Sequence, residues 1–196
     1  MMKFDMHVHS TYSSDGQSSP ETILRKAKKI GLAGLAITDH NTLKGNEHAR
    51  KLDSDLLIVR GVEISSSEGH ILAYGISEPV PKGIEPVDLI DNVHQQGGIA
   101  VIAHPFRPWS GVGEKVARSI APDAIEVQNS HSTKTENFKA RKLCQSMGLP
   151  ATGGSDAHNA RYLGKSYTIF EDVSTEDDVI EAIRTVSYTH LTLPTN

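Results

Sequence analysis

Short apolar runs alternate with amphipathic stretches along nearly the whole chain, and clusters of polar residues separate them. Apolar runs of about four to eight residues are typical of buried strands, whereas apolar positions that recur about every three or four residues are typical of helices. The pattern predicts eight strands, over residues 4–8, 35–38, 56–64, 70–76, 99–103, 124–128, 149–152 and 166–170. It predicts six helices, over residues 20–30, 43–52, 86–96, 112–120, 135–147 and 175–186.

Residues that favour helix ends lie at several of these boundaries. Ser19 followed by Pro20 is typical of an N-cap and the first helical position. Ser174 is predicted to cap the last helix, because acidic residues follow it in what would be the first turn. Gly148 follows a predicted helix at the position where glycine commonly ends one. These signals support the predicted element boundaries.

Strands that alternate with helices favour parallel βα units, and eight strands with six helices fit a (β/α) barrel better than an open sheet. Such barrels carry their chemistry at the C-terminal ends of the strands. Only a short polar connection joins the strands at 56–64 and 70–76, so a local hairpin and a distorted barrel are expected there. Residues 1–186 are predicted to form one domain. Residues 187–196 break the pattern, and we expect them to be a non-native or unstructured tail.

Composition narrows the class of protein. The 196 residues are 37% hydrophobic and 22% charged, as expected of one soluble domain. No apolar run approaches the roughly 18 residues of a membrane span, and the N-terminus lacks the apolar core of a secretory signal. We therefore expect a cytoplasmic protein with no membrane partner. A net charge of −4 without a basic stripe argues against a stable nucleic-acid complex. A single cysteine, Cys144, excludes a disulfide framework and a thiolate zinc cluster.

Histidine is abundant relative to aromatic residues, with ten histidines against five tyrosines, four phenylalanines and one tryptophan. Nine histidines and carboxylates lie beside predicted strand ends or in the same segments: His7, His9, Asp15, His40, Glu63, His70, His104, Asp156 and His158. One end of a barrel would bring them together, and burying so many polar groups is costly unless metal ions or hydrogen bonds satisfy them. Imidazole and carboxylate without thiolate suit Zn²⁺, Mn²⁺ or Fe²⁺. At about three or four ligands each, the set fits two or three divalent ions.

Five ordered motifs carry a resemblance to a known family. They are His7-Val8-His9-Ser10, Thr38-Asp39-His40-Asn41, Gly61-Val62-Glu63-Ile64, Ala103-His104-Pro105 and Gly154-Ser155-Asp156-Ala157-His158. They resemble the motifs of the PHP (polymerase and histidinol phosphatase) superfamily over nearly the whole chain. The resemblance implies an α/β fold, a distorted (β/α)7 barrel of the PHP type, with a trinuclear metal centre. It also implies metal-dependent phosphoesterase activity, as in the short stand-alone members of the family.

The resemblance further implies which residues share an ion. His7, His9, Glu63 and Asp156 would hold the first ion, Glu63 as a bridge with His70 and His104 the second, and Asp15, His40 and His158 the third. A hydroxide that bridges two ions would attack phosphorus, so Glu63 counts as a catalytic residue as well as a ligand. Asp39 precedes a proposed ligand and would either bind metal or orient an imidazole, and we favour the second role. Asp5 would support either His7 or the sheet.

Four further residues are candidates for substrate contacts. Arg107 and Arg161 each follow a proposed histidine ligand by three residues, and a guanidinium fork would hold a phosphate. Asn129 and His131 follow the strand at 124–128 and would lie at the same end of the barrel. His131 would be either a general acid for the leaving group or a substrate contact.

The predicted reaction is hydrolysis of a small phosphorylated nucleotide or metabolite, with a nuclease acting on short oligonucleotides as the alternative. A third possible function is that of a metal hydrolase that cleaves C–N bonds. Such sites often carry a bridging lysine, and none follows a predicted strand. A non-catalytic structural or binding module is a fourth, and the intact ligand set argues against it.

Overall fold

A computed structural model describes residues 1–52 and 55–185. Within them the chain forms eight strands: β1 (Met2–Val8), β2 (Gly34–Ile37), β3 (Leu57–Ser65), β4 (His70–Tyr74), β5 (Ile99–Ile102), β6 (Ala124–Asn129), β7 (Ala151–Gly154) and β8 (Thr168–Phe170). It also forms six α-helices: α1 (Pro20–Lys29), α2 (Lys44–Lys51), α3 (Pro86–Gln95), α4 (Gly113–Ser119), α5 (Lys134–Met147) and α6 (Glu176–Arg184). A short 3₁₀ helix, which we did not predict, covers Ala160–Tyr162. The tail predicted at 187–196 lies outside the described residues.

The strands form one sheet in the order β7-β6-β5-β4-β3-β2-β1-β8. The sheet curls until β1 also meets the segment that follows β7, where Val8 pairs with Ala157. The His9 amide donates a hydrogen bond to the Ala157 carbonyl there, at 3.0 Å. The result is a nearly closed barrel, so the predicted distorted α/β barrel is confirmed, with eight strands in the described part of the chain.

Two strands run against the direction of the others. β4 is antiparallel to both β3 and β5, and β8 is antiparallel to β1. The hairpin expected between residues 56–64 and 70–76 is therefore present, with Ser65 paired to His70 at its turn. Because β4 is reversed, its first residue lies at the same barrel end as the last residues of β3. This reversal is what carries His70 to the barrel end where Glu63 lies.

The pairing of β1 with β2 shifts register between Asp5 and Val8. Phe4 and Met6 pack with the hydrophobic cluster that includes Leu72, whereas Val8 packs with the cluster of α1. Even-numbered positions therefore change sides along the strand. The register shift therefore interrupts the strict alternation that would place residues 5, 7 and 9 on one side of β1.

Helix ends and the core follow ordinary packing rules. Ser19 caps α1, and the C-cap of α5 is Gly148 in the left-handed conformation. The cap of α6 is Thr175 rather than Ser174, because the Thr175 side chain accepts from the Asp178 amide. Cys144 is buried in the core. Among the described helices, none has the length and apolar character needed to cross a bilayer.

Candidate metal centre

All nine predicted ligands lie together at one end of the barrel. They come from the C-terminal end of β1 and its following loop, the segments after β2, β5 and β7, the C-terminal part of β3, and the start of β4. Parallel strands deliver the residues that follow them to the same end, so the fold itself gathers the set. Burial within the set is graded. The inner side chains are buried, whereas Asp15 is 47% exposed.

The innermost group consists of four buried side chains whose donor atoms converge. His7 Nε2 lies 3.1 Å from His9 Nε2, 3.1 Å from Glu63 Oε2 and 3.4 Å from Asp156 Oδ1. His9 Nε2 lies 3.1 Å from Glu63 Oε2 and 3.2 Å from Asp156 Oδ1. Two imidazole nitrogens and two carboxylate oxygens thus face one point.

Glu63 faces a second group with its other oxygen. Its Oε1 atom lies 2.9 Å from His70 Nδ1 and 2.9 Å from His104 Nε2. His40 Nδ1 approaches the opposite oxygen, Oε2, at 3.4 Å. The two oxygens of one carboxylate therefore point at different sets of imidazoles, which is the arrangement a bridging ligand requires.

The outer group is more open to solvent. Asp15 Oδ2 lies 3.1 Å from His158 Nε2 and 3.4 Å from His40 Nε2. His9 joins this group through its ring, which stacks on that of His158 with 4.3 Å between centroids. The outer group therefore shares one residue with the innermost group.

Several ring nitrogens that face away from the cluster are held by the protein. His7 Nδ1 lies 3.0 Å from Glu126 Oε1, His9 Nδ1 lies 3.1 Å from Ser13 Oγ, and His158 Nδ1 lies 2.9 Å from the Asp156 carbonyl. Such outer contacts fix the orientation of a metal-binding imidazole. They leave the Nε2 atoms of these three rings turned toward the cluster.

The charges of the cluster shift its pKa values strongly. Burial raises the pKa of Glu63, but the nearby imidazoles of His7, His104 and His70 outweigh it and hold that pKa well below its usual range. Burial lowers the pKa of His9, yet hydrogen bonds to Asp156 and Glu63 raise it to about 9. The pKa of His40 is lowered, chiefly by burial. Buried carboxylates and imidazoles here stabilise each other's charged forms.

The donor chemistry fits divalent metal ions. Four groups of three or four histidine and carboxylate side chains each bring their ligand atoms within 4.8 Å of one another, and all nine predicted ligands belong to one or more of these groups. Oxygen and imidazole donors without sulfur are those preferred by Zn²⁺, Mn²⁺ and Fe²⁺. His40 Nδ1 and His104 Nδ1 are buried and make no hydrogen bond to the described residues. Unsatisfied buried donors or acceptors of this kind are costly.

Backbone strain is concentrated at the same end of the barrel. His104 has a φ of 24° and Asp156 a φ of 55°, a region that side chains with a Cβ rarely adopt. Gly154 permits a close approach, since a Cβ there would fall 2.6 Å from the His7 amide nitrogen. The chain is thus held in unfavourable local conformations where it presents the clustered ligands.

Arg107 lies at the rim with its guanidinium held by two partners. Its Nη1 donates to Asp156 Oδ2 at 2.6 Å and its Nη2 to Asn129 Oδ1 at 2.7 Å. Its Nε is buried and makes no hydrogen bond to the described residues. Asn129 is itself buried and donates to Asp156 Oδ2 at 3.2 Å. The structure therefore brings two of the four predicted substrate residues, Arg107 and Asn129, against the cluster.

His131 also reaches the cluster, whereas Arg161 is turned aside. The His131 ring stacks on that of His158 at 5.6 Å, and burial lowers its pKa. The Arg161 guanidinium lies over the ring of Tyr162, 4.6 Å from its centroid. Tyr162 also meets the His131 ring edge to face at 6.1 Å. Arg161 is thus linked to the cluster through Tyr162 and His131.

The two acids outside the ligand set have structural contacts. Asp39 accepts from the Ser10 amide and hydroxyl, both at 2.6 Å, so it holds the loop after β1 rather than an imidazole, which corrects the role we favoured. Asp5 accepts from the amides of Ser155 and Gly164, each at 2.8 Å. Burial raises the pKa of Asp5 to about 6. It ties β1 to the segment after β7 and also accepts from the His7 amide at 3.4 Å, so its contacts fit both of the roles considered for it.

Glu126 belongs to the cluster and was not predicted. It is fully enclosed in β6, and its carboxylate lies between two of the proposed ligands, His7 and His104. One signal was available in the sequence. Glu126 is the only charged residue within the predicted strand 124–128, where it lies between Ile125 and Val127. A carboxylate in an apolar strand requires a buried partner.

Comparison with known proteins places these features in a family. The model of the PHP domain matches residues 5–119, and that of a PHP-associated region matches residues 134–186. An uncharacterised protein of Methanocaldococcus jannaschii is 35% identical over 143 residues, which cover 66% of this chain and 83% of that protein. A phosphoribosyl 1,2-cyclic phosphate 1,2-diphosphodiesterase of Eggerthella lenta is 39% identical over 85 residues, which cover 39% of this chain and 32% of that enzyme.

Solved structures share the fold. PsfC from Pseudomonas syringae aligns with a TM-score of 0.75 at 22% identity and covers 93% of this chain and 89% of its own. A protein of Bifidobacterium adolescentis assigned as a metal-dependent phosphoesterase gives 0.64 at 19% identity, covering 91% and 94%. The lesion-specific endonuclease Q of Pyrococcus furiosus gives 0.73 at 18% identity, covering 94% of this chain and 56% of its own. At these identities the likeness concerns the barrel alone.

Proposed function

Because this chain belongs to the PHP family, we propose that it hydrolyses phosphoesters with divalent metal ions held by the cluster at the barrel end. The observation that carries this proposal is the convergence of nine imidazole and carboxylate side chains beside the guanidinium of Arg107. Those donors suit divalent transition metals, and a guanidinium matches the oxygens of a phosphoryl group. The favoured substrate is a small phosphomonoester, either a nucleotide or a phosphorylated metabolite.

The ligand groups are those that the motifs of the family imply. His7, His9, Glu63 and Asp156 would hold one ion, Glu63 with His70 and His104 a second, and Asp15, His40 and His158 a third. Glu63 is suited to join the first two groups because its oxygens face different imidazoles. Zn²⁺, Mn²⁺ and Fe²⁺ all suit these donors. When bound, ions of this class supply a hydroxide nucleophile near neutral pH and offset charge on phosphoryl oxygens.

The residues at the rim would bind and orient the phosphoester. Arg107 is held in place by Asp156 and Asn129, so its planar fork is already oriented when a phosphoryl group arrives. His131 lies beside the cluster and would donate a hydrogen bond to the leaving oxygen. Arg161 and Tyr162 would contact the part of the substrate that extends beyond the reacting phosphoryl group.

A phosphodiester, including a short oligonucleotide, is the second candidate substrate. The relative from Eggerthella lenta is named for diphosphodiesterase activity and shares 39% identity over 85 residues. Monoesters and diesters need the same nucleophile and the same charge neutralisation. They differ in the group that must fit beyond the reacting phosphorus, so a direct substrate comparison separates them.

Phosphate release from a panel of phosphorylated metabolites and nucleotides tests the proposal. The protein is assayed with Mn²⁺ or Zn²⁺ supplied, with and without chelator, and a nitrophenyl phosphomonoester is compared with the matching diester. We expect metal-dependent release that chelator abolishes and Glu63→Gln reduces by orders of magnitude. Glu68→Gln, on the exposed turn of the β3–β4 hairpin, is the matched control and should retain activity. Absence of hydrolysis by metal-loaded protein across the panel would favour a binding module instead.

A further inference from the structure

Glu126 is a buried carboxylate that contacts several residues of the candidate centre. It is 1% exposed and extends from β6 into the barrel. Its Oε1 atom lies 3.0 Å from His7 Nδ1. Its Oε2 atom accepts from the His104 amide at 2.9 Å and from Asn129 Nδ2 at 3.0 Å. One carboxylate therefore reaches two proposed metal ligands and the partner of Arg107.

We propose that Glu126 is a positioning residue that fixes the tautomer of His7 and the backbone of His104, so that both rings present their ligand nitrogens to the metal centre. The proposal rests on the metal-binding function proposed above. An ionised carboxylate only accepts hydrogen bonds. The neutral imidazole of His7 must then carry its proton on Nδ1, which leaves the lone pair of Nε2 directed at His9, Glu63 and Asp156.

The contact with His104 acts on the backbone rather than on the ring. His104 adopts a φ of 24°, which a residue with a side chain seldom holds without support. A charge-assisted hydrogen bond from its amide to Glu126 supplies that support. The His104 ring is then placed with Nε2 at 2.9 Å from Glu63 Oε1. Without Glu126, this backbone would relax and move the ring away from Glu63.

The same carboxylate also contacts Asn129, which in turn holds the guanidinium of Arg107. Asn129 donates to Glu126 through its amide nitrogen and accepts from Arg107 Nη2 through its amide oxygen. Glu126 therefore fixes which way the Asn129 amide is turned. A reversed amide would direct its nitrogen at the Arg107 guanidinium, which has no acceptor.

Glu126→Gln is a sharp test because only one orientation of the new amide satisfies its neighbours. Two N–H donors, from His104 and Asn129, point at the Oε2 position, so the glutamine oxygen would take that place. Its NH₂ group would then face His7 Nδ1 and make that nitrogen an acceptor. His7 would carry its proton on Nε2, where it blocks ligation. Glu126→Asp keeps an acceptor-only carboxylate and should restore part of the function.

The experiment measures zinc affinity by competition with a chelator of known affinity for the wild type, both Glu126 variants and a control. Glu114→Gln makes the same exchange on the exposed face of α4, where Glu114 pairs with Arg118. We expect Glu126→Gln to bind zinc about ten- to a hundredfold more weakly, Glu126→Asp to lie between it and wild type, and Glu114→Gln to match wild type. Thermal melting of the metal-free proteins reports whether each variant folds.

A role in folding alone would give a different pattern. It would lower the melting temperature of both Glu126 variants and leave the zinc affinity of the folded protein at the wild-type value, which would overturn the inference. Equal zinc affinity in Glu126→Gln and wild type would also overturn it, while leaving the proposed function intact. Absence of zinc binding by wild type itself would overturn both. In zinc-loaded wild type, nitrogen-15 spectra should show the His7 proton on Nδ1, and a proton on Nε2 would contradict the assigned tautomer.

Discussion

Arg107 is the residue at which metal binding and substrate binding can be told apart. Its guanidinium contacts Asp156 and Asn129 but belongs to no candidate ligand group. Lysine cannot reproduce this contact, because an ammonium is a point charge rather than a planar fork. Substitution of Arg107 should therefore weaken phosphate binding and leave the candidate metal ligands in place.

Arg107→Ala should lower catalytic efficiency by about ten- to a hundredfold, because a hydrogen bond to a charged group contributes roughly 1.5–3 kcal/mol. Arg107→Lys should recover only part of the loss. Metal content, measured by elemental analysis, should stay at the wild-type value in both variants. Arg118→Ala, on the exposed face of α4, is the matched control. Wild-type efficiency in Arg107→Ala would show that the phosphate is held by other groups.

Metal uptake at neutral pH should release protons. Burial lowers the pKa of His7 and His9, but neighbouring carboxylates more than offset it, so that His7 titrates well above its usual range and His9 at a pKa of about 9. Both rings are therefore protonated at neutral pH without metal and must lose a proton to ligate. Calorimetry of zinc binding in buffers of different ionisation enthalpy measures the number released. Release should shrink as the pH rises past the pKa of His9, and a release of zero at neutral pH would contradict these assignments.

The nine candidate ligands could be predicted from sequence because each lies beside a predicted strand end or in the segment that follows it, and the barrel brings these segments together. Glu126 was harder to find, since it lies inside a strand and its role depends on which side of β6 faces His7. The role of Asp39 could not be predicted from the sequence either. Adjacency to His40 suggested an imidazole partner, whereas the fold places the Asp39 carboxylate against Ser10. Local spacing predicts what a segment carries but not which distant segment meets it.

At the scale of the element, strand positions were predicted well and strand directions less well. The short connection between β3 and β4 predicted a hairpin. Parallel pairing would need a much longer connection to carry the chain back to the other end of the sheet. The reversal of β8 against β1 had no such signal, since a long segment with a 3₁₀ helix precedes it. The register shift in β1 was equally hidden, because alternation of residue types continues across it.

The N-terminus of α6 gives a prediction about pH. Asp178 accepts from the amides of Ser174 and Thr175 and from their hydroxyl groups, which lowers its pKa from 3.8 to about 2. A lowered pKa in the folded state means that the stabilisation is complete above the ordinary value and is lost as pH falls toward 2. Asp178→Ala should therefore melt at a lower temperature than wild type at neutral pH.

The difference in melting temperature between wild type and Asp178→Ala should narrow as the pH falls from 3.8 to about 2. Asp177→Ala removes an acid from the same helical turn and serves as the control for net charge. A difference that stays constant over this range would show that the cap does not depend on the charge of Asp178.

At the scale of the whole molecule, solvent exposure of the candidate ligands increases from the enclosed inner group to the outer group at the rim of the barrel. The innermost ligands are buried, whereas Asp15 and His158 at the rim are 47% and 24% exposed. A phosphoester would approach from the exposed side and meet Arg107 at the edge. The fold thus separates a buried interior, which holds the inner candidate ligands, from a more exposed rim.

Elemental analysis of protein purified with Zn²⁺ or Mn²⁺ supplied, together with two ligand variants, tests the central claim most directly. The nine candidate ligands, divided among the three proposed ions, predict about two to three metal equivalents in wild type. Glu63→Gln removes the charge shared by two groups and His40→Ala removes an outer imidazole, so both should lower the count, while His94→Ala on the exposed face of α3 should not. Fewer than about one equivalent in folded wild-type protein, or an unchanged count in both ligand variants, would contradict the account.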